Sequence, residues 1–226
     1  MDLSIKLSNG QILRGFIKSP GVNIKAMVIM VHGLGEHIRR YSLWADLFSK
    51  EGIGFTGVDL PGHGRSDGKK GHIKNYSLLN EMTDTLINEC KKTFPGIPVF
   101  IYGHSLGGGI VLNYLIKNNP DIPGAIITSP WLKLTVEPDR SKIRLAGFLK
   151  NILPALVQPN GLVIEHISND KDVVAAYKND PLVHGNISLS LINEAFTAAS
   201  EALKNASNLK TPILLMHGGG DKICSP

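Results

Sequence analysis

The sequence predicts an α/β fold with a mostly parallel sheet and helices on both faces. Three observations carry this. Short apolar runs alternate with stretches of helical periodicity. The apolar runs are near-continuous, as in strands buried on both faces. With 226 residues, 42 % apolar and 19 % charged, the chain can bury one sizeable core.

The first expected element is a hairpin. Leu3, Ile5 and Leu7 alternate, Asn9-Gly10 supplies the turn, and Ile12 and Leu13 follow. A strand is expected over Ala26–Val31. In "YSLWADLFSKEG", Leu43, Trp44, Leu47 and Phe48 share one helical face, and Gly52 ends the helix. A strand over Gly54–Val58 follows, then a helix in "SLLNEMTDTLINECKKTF" that stops at Pro95. Further strands are expected at Val99–Tyr102, Ala125–Thr128 and Ile213–Met216.

The alternation breaks between about Trp131 and Ala206, where no strand is evident. There "IRLAGFLKNILPAL" sets Leu145, Phe148, Leu149, Ile152 and Leu156 at helical spacing, and "LSLINEAFTAASEALKNAS" is also helical in pattern. The expected organisation is a core over 1–130, a helical cap insertion over 131–206 and a return to the core over 207–226. A final strand and helix are expected beyond that.

Composition excludes several functions. The formal charge is +5, yet no run of five or more Lys or Arg occurs, so no nucleic-acid footprint is present. A weak attraction to anionic lipid surfaces is compatible with the basic surface. No apolar run approaches a membrane span. The N-terminus lacks the basic and apolar regions of a signal peptide. Two cysteines, Cys90 and Cys224, make no disulfide framework. These features point to a cytoplasmic protein. They say nothing of oligomeric state.

The chemistry concentrates in "VFIYGHSLGGGIVLNYLI". An apolar strand runs into Gly-His-Ser-Leu-Gly and a helix follows, the setting of a nucleophile elbow around Ser105. A turn that sharp leaves no room for side chains at minus two and plus two, hence Gly103 and Gly107. Glycine costs a helix about 1 kcal/mol relative to alanine. Gly107, Gly108 and Gly109 at a helix start therefore suggest close helix–strand approach. The rival is a Gly-rich helix start with Ser105 as its cap.

Acyl transfer needs fixed N–H donors where the carbonyl oxygen gains charge. The Leu106 N–H comes with the elbow. The second donor is expected from "HGLGEH" after the Ala26–Val31 strand, at the Leu34 N–H. A phosphate loop and a metal site are the rivals. The loop has no Walker pattern, and His32 and His37 lack zinc-ligand spacing. No metal or cofactor is expected.

A carboxylate must orient a histidine. Asp221 follows the last expected strand through "HGGG"; the rival is an ordinary turn aspartate. Asp59 also ends a strand, but it precedes the serine, and the chain order on such folds is Ser, acid, His. No histidine follows Asp221. His32 and His217 adjoin glycine turns, and His104 is expected to point away from Ser105. The base is expected beyond residue 226.

The set "VHGLGEH", "DLPGHGRSDGKKGH", "YGHSLGG", "SPWLKL", "NDPLVHG" and "LLMHGGGDK", in that order, resembles the monoacylglycerol lipase and lysophospholipase-like group of α/β-hydrolases. The resemblance spans nearly the whole chain. It implies Ser105 as nucleophile, Asp221 as triad acid and the N–H groups of Leu34 and Leu106 as oxyanion hole. It implies that the cap covers an acyl-chain tunnel, with an acyl-ester or lipid substrate and transient membrane-surface contact through the cap. Members of the group place their histidine a few dozen residues further on. Cys224 resembles a near-site cysteine of some relatives and is expected to respond to thiol reagents; the rival is an ordinary buried cysteine. The expected activity is serine carboxylester hydrolysis of monoacylglycerols, lysophospholipids or small acyl esters. The alternatives are a non-catalytic fragment or binding module, and a thioesterase or acyltransferase on the same triad.

Overall fold

The computed structural model describes residues 1–136, 147–150 and 152–226. Its frame is a seven-stranded sheet. The hairpin is β1 (Asp2–Lys6) and β2 (Ile12–Lys18), antiparallel, with Gly10 at φ 88° in the turn. Then come β3 (Ala26–Val31), β4 (Ile53–Val58), β5 (Val99–His104) and β6 (Ala125–Thr128). A two-stranded ribbon follows, β7 (Val157–Pro159) with β8 (Asn186–Ser188), and the sheet ends at β9 (Ile213–Met216). The order is β1-β2-β4-β3-β5-β6-β9, with β4, β3, β5, β6 and β9 mutually parallel.

Side chains alternate across each strand, and this builds two cores. Met27, Ile29 and Val31 of β3 face the side covered by α2 (Ser77–Thr93), α3 (Leu106–Asn118) and α5 (Leu189–Lys204). Val28 and Met30 face the other side, with Phe55, Tyr102, Ile38 and Ala45 of α1 (Ser42–Lys50). Both faces of the central strands are dry, which is why those strands read as unbroken apolar runs.

The structure differs from expectation in three places. On α1, Leu43, Trp44 and Leu47 are exposed, at 68, 41 and 52 %, while Ala45 is buried. Periodicity finds an apolar face but not what covers it. The 131–206 segment contains the β7–β8 ribbon, whose three-residue strands are too short to show period two. It also contains α4 (Lys171–Asn179), capped by the Asp170 carboxylate accepting from the Asp172 N–H at 2.9 Å. Of the helix expected over 143–156, residues 143–146, Leu145 among them, and 151 lie outside the described residues; Phe148, Ile152, Leu153 and Leu156 are exposed. Finally, α5 buries Ala195, Ala198, Ala199 and Ala202 and packs on α3, flanking the sheet.

Candidate active site

Ser105 lies between β5 and α3 at φ 53° and ψ −119°. Such a left-handed conformation is strained for a residue with a Cβ. Three backbone bonds hold it: the Ser105 N–H donates to the Thr128 carbonyl (3.0 Å), and the Ser105 carbonyl accepts from Gly109 (3.1 Å) and Trp131 (2.9 Å). The elbow glycines are explained by space. A Cβ at Gly107 would overlap the Val31 carbonyl oxygen, and one at Gly103 would lie 2.6 Å from the Gly107 carbonyl.

The loop after β3 packs on the serine. A Cβ on Gly33 would be 3.2 Å from Ser105 Cβ and 2.9 Å from a Glu36 carboxylate oxygen. The Gly33 N–H donates to Glu36 Oε1 at 2.7 Å, so it is spent. The N–H groups of Leu34 and Leu106 have no acceptor among the described residues. These are the two donors expected from sequence.

Glu36 is a site residue that the sequence reading missed. Its side chain is buried, and its oxygens also meet the Tyr41 hydroxyl (2.9 Å) and Arg40 Nε (3.3 Å). Burial pushes the carboxyl up, but nearby His104 and His32 and the bonds from Gly33 and Tyr41 outweigh it, leaving it below its usual range. Its place three residues after Gly33 in a glycine turn does not distinguish it from an exposed loop glutamate.

Asp221 sits one loop beyond β9. Its Oδ1 accepts from the N–H groups of Ile223 (2.8 Å) and Cys224 (2.9 Å). Burial raises its carboxyl, but those N–H groups, the Ser129 hydroxyl and His217 lower it below the usual value. The Asp221 loop is tied to the segment after β6 through Thr135 N–H to the Ile223 carbonyl (3.0 Å) and Ser225 N–H to the Lys133 carbonyl (2.9 Å). Cys224 adjoins Asp221 through its N–H, and the Ser105 hydroxyl partly offsets the upward shift of its thiol. Burial and the Asp221 charge push that thiol up to about 12.

All eight histidines lie in described residues, and none hydrogen-bonds to the Ser105 hydroxyl. His32 pairs with the Gly33 carbonyl (2.9 Å) and accepts from the Leu60 N–H (2.9 Å). His37 meets Asp180 (2.8 Å), His72 meets Ser188 (3.0 Å), and His104 meets Thr128 Oγ1 (2.9 Å). His63 meets the Pro61 carbonyl (3.0 Å), and the His184 ring accepts from the Asn186 N–H (3.3 Å). His166 is exposed. His217 Nε2 lies 3.3 Å from Asp221 and 3.1 Å from the Cys224 carbonyl. Asp59 accepts from Ile38 (2.7 Å) and Arg65 (2.8 Å) and is spent on the loops around it.

A strained serine at a strand–helix turn, beside two uncommitted N–H groups on a mostly parallel sheet, defines an α/β-hydrolase of the serine type. The chain belongs to the family described as serine aminopeptidase, S33, whose profile matches residues 22–226. It is 30 % identical over 206 residues to a monoacylglycerol lipase of Mycolicibacterium smegmatis, covering 91 % of this chain and 73 % of that protein. It is 37 % identical over 210 residues to an uncharacterized abhydrolase domain-containing protein of Dictyostelium discoideum, covering 92 % of this chain and 22 % of that protein. The chain thus spans about a fifth of one relative and about three quarters of the other. The crystal structure of Paleococcus ferrophilus monoacylglycerol lipase superposes with a TM-score of 0.86 at 36 % identity, covering 95 % of this chain and 80 % of that one. A soluble variant of monoglyceride lipase from Saccharomyces cerevisiae, bound to a substrate analog, superposes at 0.84 with 26 % identity, covering 99 and 78 %. No helix among the described residues is long and apolar enough to cross a membrane.

Proposed function

We propose that the chain carries the nucleophile, oxyanion hole and acid of a serine carboxylester hydrolase that takes monoacylglycerols, lysophospholipids or small acyl esters. The observation that carries this reading is Ser105 at φ 53° with the uncommitted Leu34 and Leu106 N–H groups beside it. Ser105 Oγ attacks the ester carbonyl as a histidine takes its proton. The two N–H groups meet the oxyanion, and the histidine returns the proton to the leaving alcohol. Water repeats the sequence and frees the acid. Asp221 orients the histidine. The names of the lipase relatives support the substrate class.

No described histidine bonds to the Ser105 hydroxyl, so the proton acceptor in this scheme is none of the eight as they are placed. Both faces of β9 are open to solvent: Leu214 and Met216 on one face and Leu215 on the other are exposed at 55, 44 and 54 %. The segment between β6 and α5 serves as the cap. Phe148, Ile152, Leu153 and Leu156, all exposed, give it an apolar surface suited to an acyl chain or a lipid surface. Both cysteines are free, in keeping with a cytoplasmic location.

The test is a substrate panel on the full-length protein: monoacylglycerols of graded chain length, a lysophospholipid, short acyl esters and an acyl thioester, with Ser105→Ala as control. Hydrolysis of the oxygen esters, lost in the Ala variant, is expected. Turnover confined to the thioester, or persisting in Ser105→Ala, overturns the reading.

A further inference from the structure

We propose that Glu36 is a positioning residue, whose buried carboxylate fixes the Gly33–Leu34 peptide so that the Leu34 N–H is held at the oxyanion position. This rests on the serine hydrolase reading above.

The geometry lies in how Gly33 is gripped. Its N–H is held by Glu36 Oε1 at 2.7 Å, and its carbonyl oxygen faces His32 Nδ1 at 2.9 Å. His32 Nε2 accepts from the Leu60 N–H at 2.9 Å, which assigns the proton to Nδ1 and makes the Gly33 carbonyl the acceptor. The Gly33 carbonyl and the Leu34 N–H belong to one planar peptide unit. Fixing the carbonyl therefore fixes the direction of the N–H, which points the opposite way. With the N–H of Gly33 also held, neither torsion of that glycine can drift. Glycine has the widest backbone freedom of any residue, so a loop that must use it needs such a restraint.

The choice of a carboxylate has a cost. A negative charge this close to Ser105 opposes the charge that develops on the substrate oxygen. Arg40 offsets it, with Nε 3.3 Å from Glu36 Oε2, and is itself held over the Tyr177 ring at 4.7 Å. The Tyr41 hydroxyl takes a second bond at Oε1, at 2.9 Å. The brace is thus a pair with no net charge, anchored in the core. On the outer side, the Gly35 carbonyl accepts from the His184 N–H at 2.9 Å, which pins the other end of the loop.

Three substitutions in the full-length protein test this, with rates expressed per Ser105 labelled by a fluorophosphonate so that unfolded protein does not count. Glu36→Ala removes the acceptor. Glu36→Asp keeps the charge but withdraws the carboxylate by one methylene. Glu36→Gln keeps an acceptor at the same reach. A misplacement of about 1 Å near a reacting group costs on the order of 10²-fold. The expected result is kcat down about 30- to 100-fold in the Ala and Asp variants, with KM within about threefold. Affinity for a boronic acid that forms a tetrahedral Ser105 adduct should fall in parallel. The Gln variant should stay within about fivefold of the parent. If the Ala variant does not fold, the Asp variant carries the same prediction. Asp and Ala rates within about threefold of the parent overturn the proposal, as does a Gln variant as slow as Ala. A parent protein that neither labels nor hydrolyses esters is a different failure, that of the serine hydrolase reading.

Discussion

At Ser105 the backbone has little room. Placing Oγ at the tip of a sharp turn puts Gly107 directly against β3. Gly107→Ala would drive a methyl group into the Val31 carbonyl oxygen, which is backbone and cannot step aside. We expect a loss of about 3 kcal/mol or more, or no soluble protein, read by urea unfolding. Cys224 calls for a different expectation. Its thiol is buried and pushed up to about 12, so almost none is thiolate at pH 8. Iodoacetamide should modify it on the order of 10²-fold more slowly in the native protein than after denaturation, by mass-resolved peptide kinetics. A native rate equal to the denatured one contradicts that burial. The strand–helix turn at Ser105, with Gly103 and Gly107 around it, was legible because steric demands fix residue type and spacing together. Glu36 was not legible as a site residue. A glutamate in a loop reads as solvated surface, and only the fold reveals the buried N–H and guanidinium around it.

Among the elements, periodicity located α1, α2, α3 and α5, yet it misassigned what covers the α1 face. It also hid the role of α5, whose alanines lie flat against α3. Close helix approach requires small side chains, and alanine gives a weak hydrophobic signal. Ala198 is 5 % exposed and its carbonyl accepts from Asn113 Nδ2 at 3.2 Å. Ala198→Leu should overpack this contact and cost about 1–3 kcal/mol. For a chain of this size that is roughly 2–4 °C of Tm per kcal/mol. An unchanged Tm would mean that the two helices separate at little cost. The β7–β8 ribbon escaped detection because three residues cannot display an alternation.

For the whole molecule, the mostly parallel sheet with helices on both faces followed from the alternation of strands and helices. The edges did not, because an edge is defined by what pairs with it. Stability should fall in mild acid, and the sign follows from two buried imidazoles. Burial lowers His32 and His63 below their ordinary value, so the unfolded chain binds protons that the native protein does not. Their contribution is complete above about pH 6.5 and declines as pH falls below it, by up to about 1.4 kcal/mol per pH unit for each group. Glu36 and Asp221, held low, add their loss only below about pH 4. A lower Tm at pH 5.5 than at pH 7.5 is expected, with a shallower slope in His63→Asn; a flat profile would contradict it. The central claim is that Ser105 is an activated nucleophile oriented through Asp221. It is tested most directly by intact mass spectrometry of the full-length protein after a fluorophosphonate, with Ser105→Ala and Asp221→Asn beside it. One adduct on the parent, none on the Ala variant and labelling slowed at least about 10²-fold in the Asn variant is the predicted result. An adduct that survives Ser105→Ala, or a parent that takes none, would contradict it.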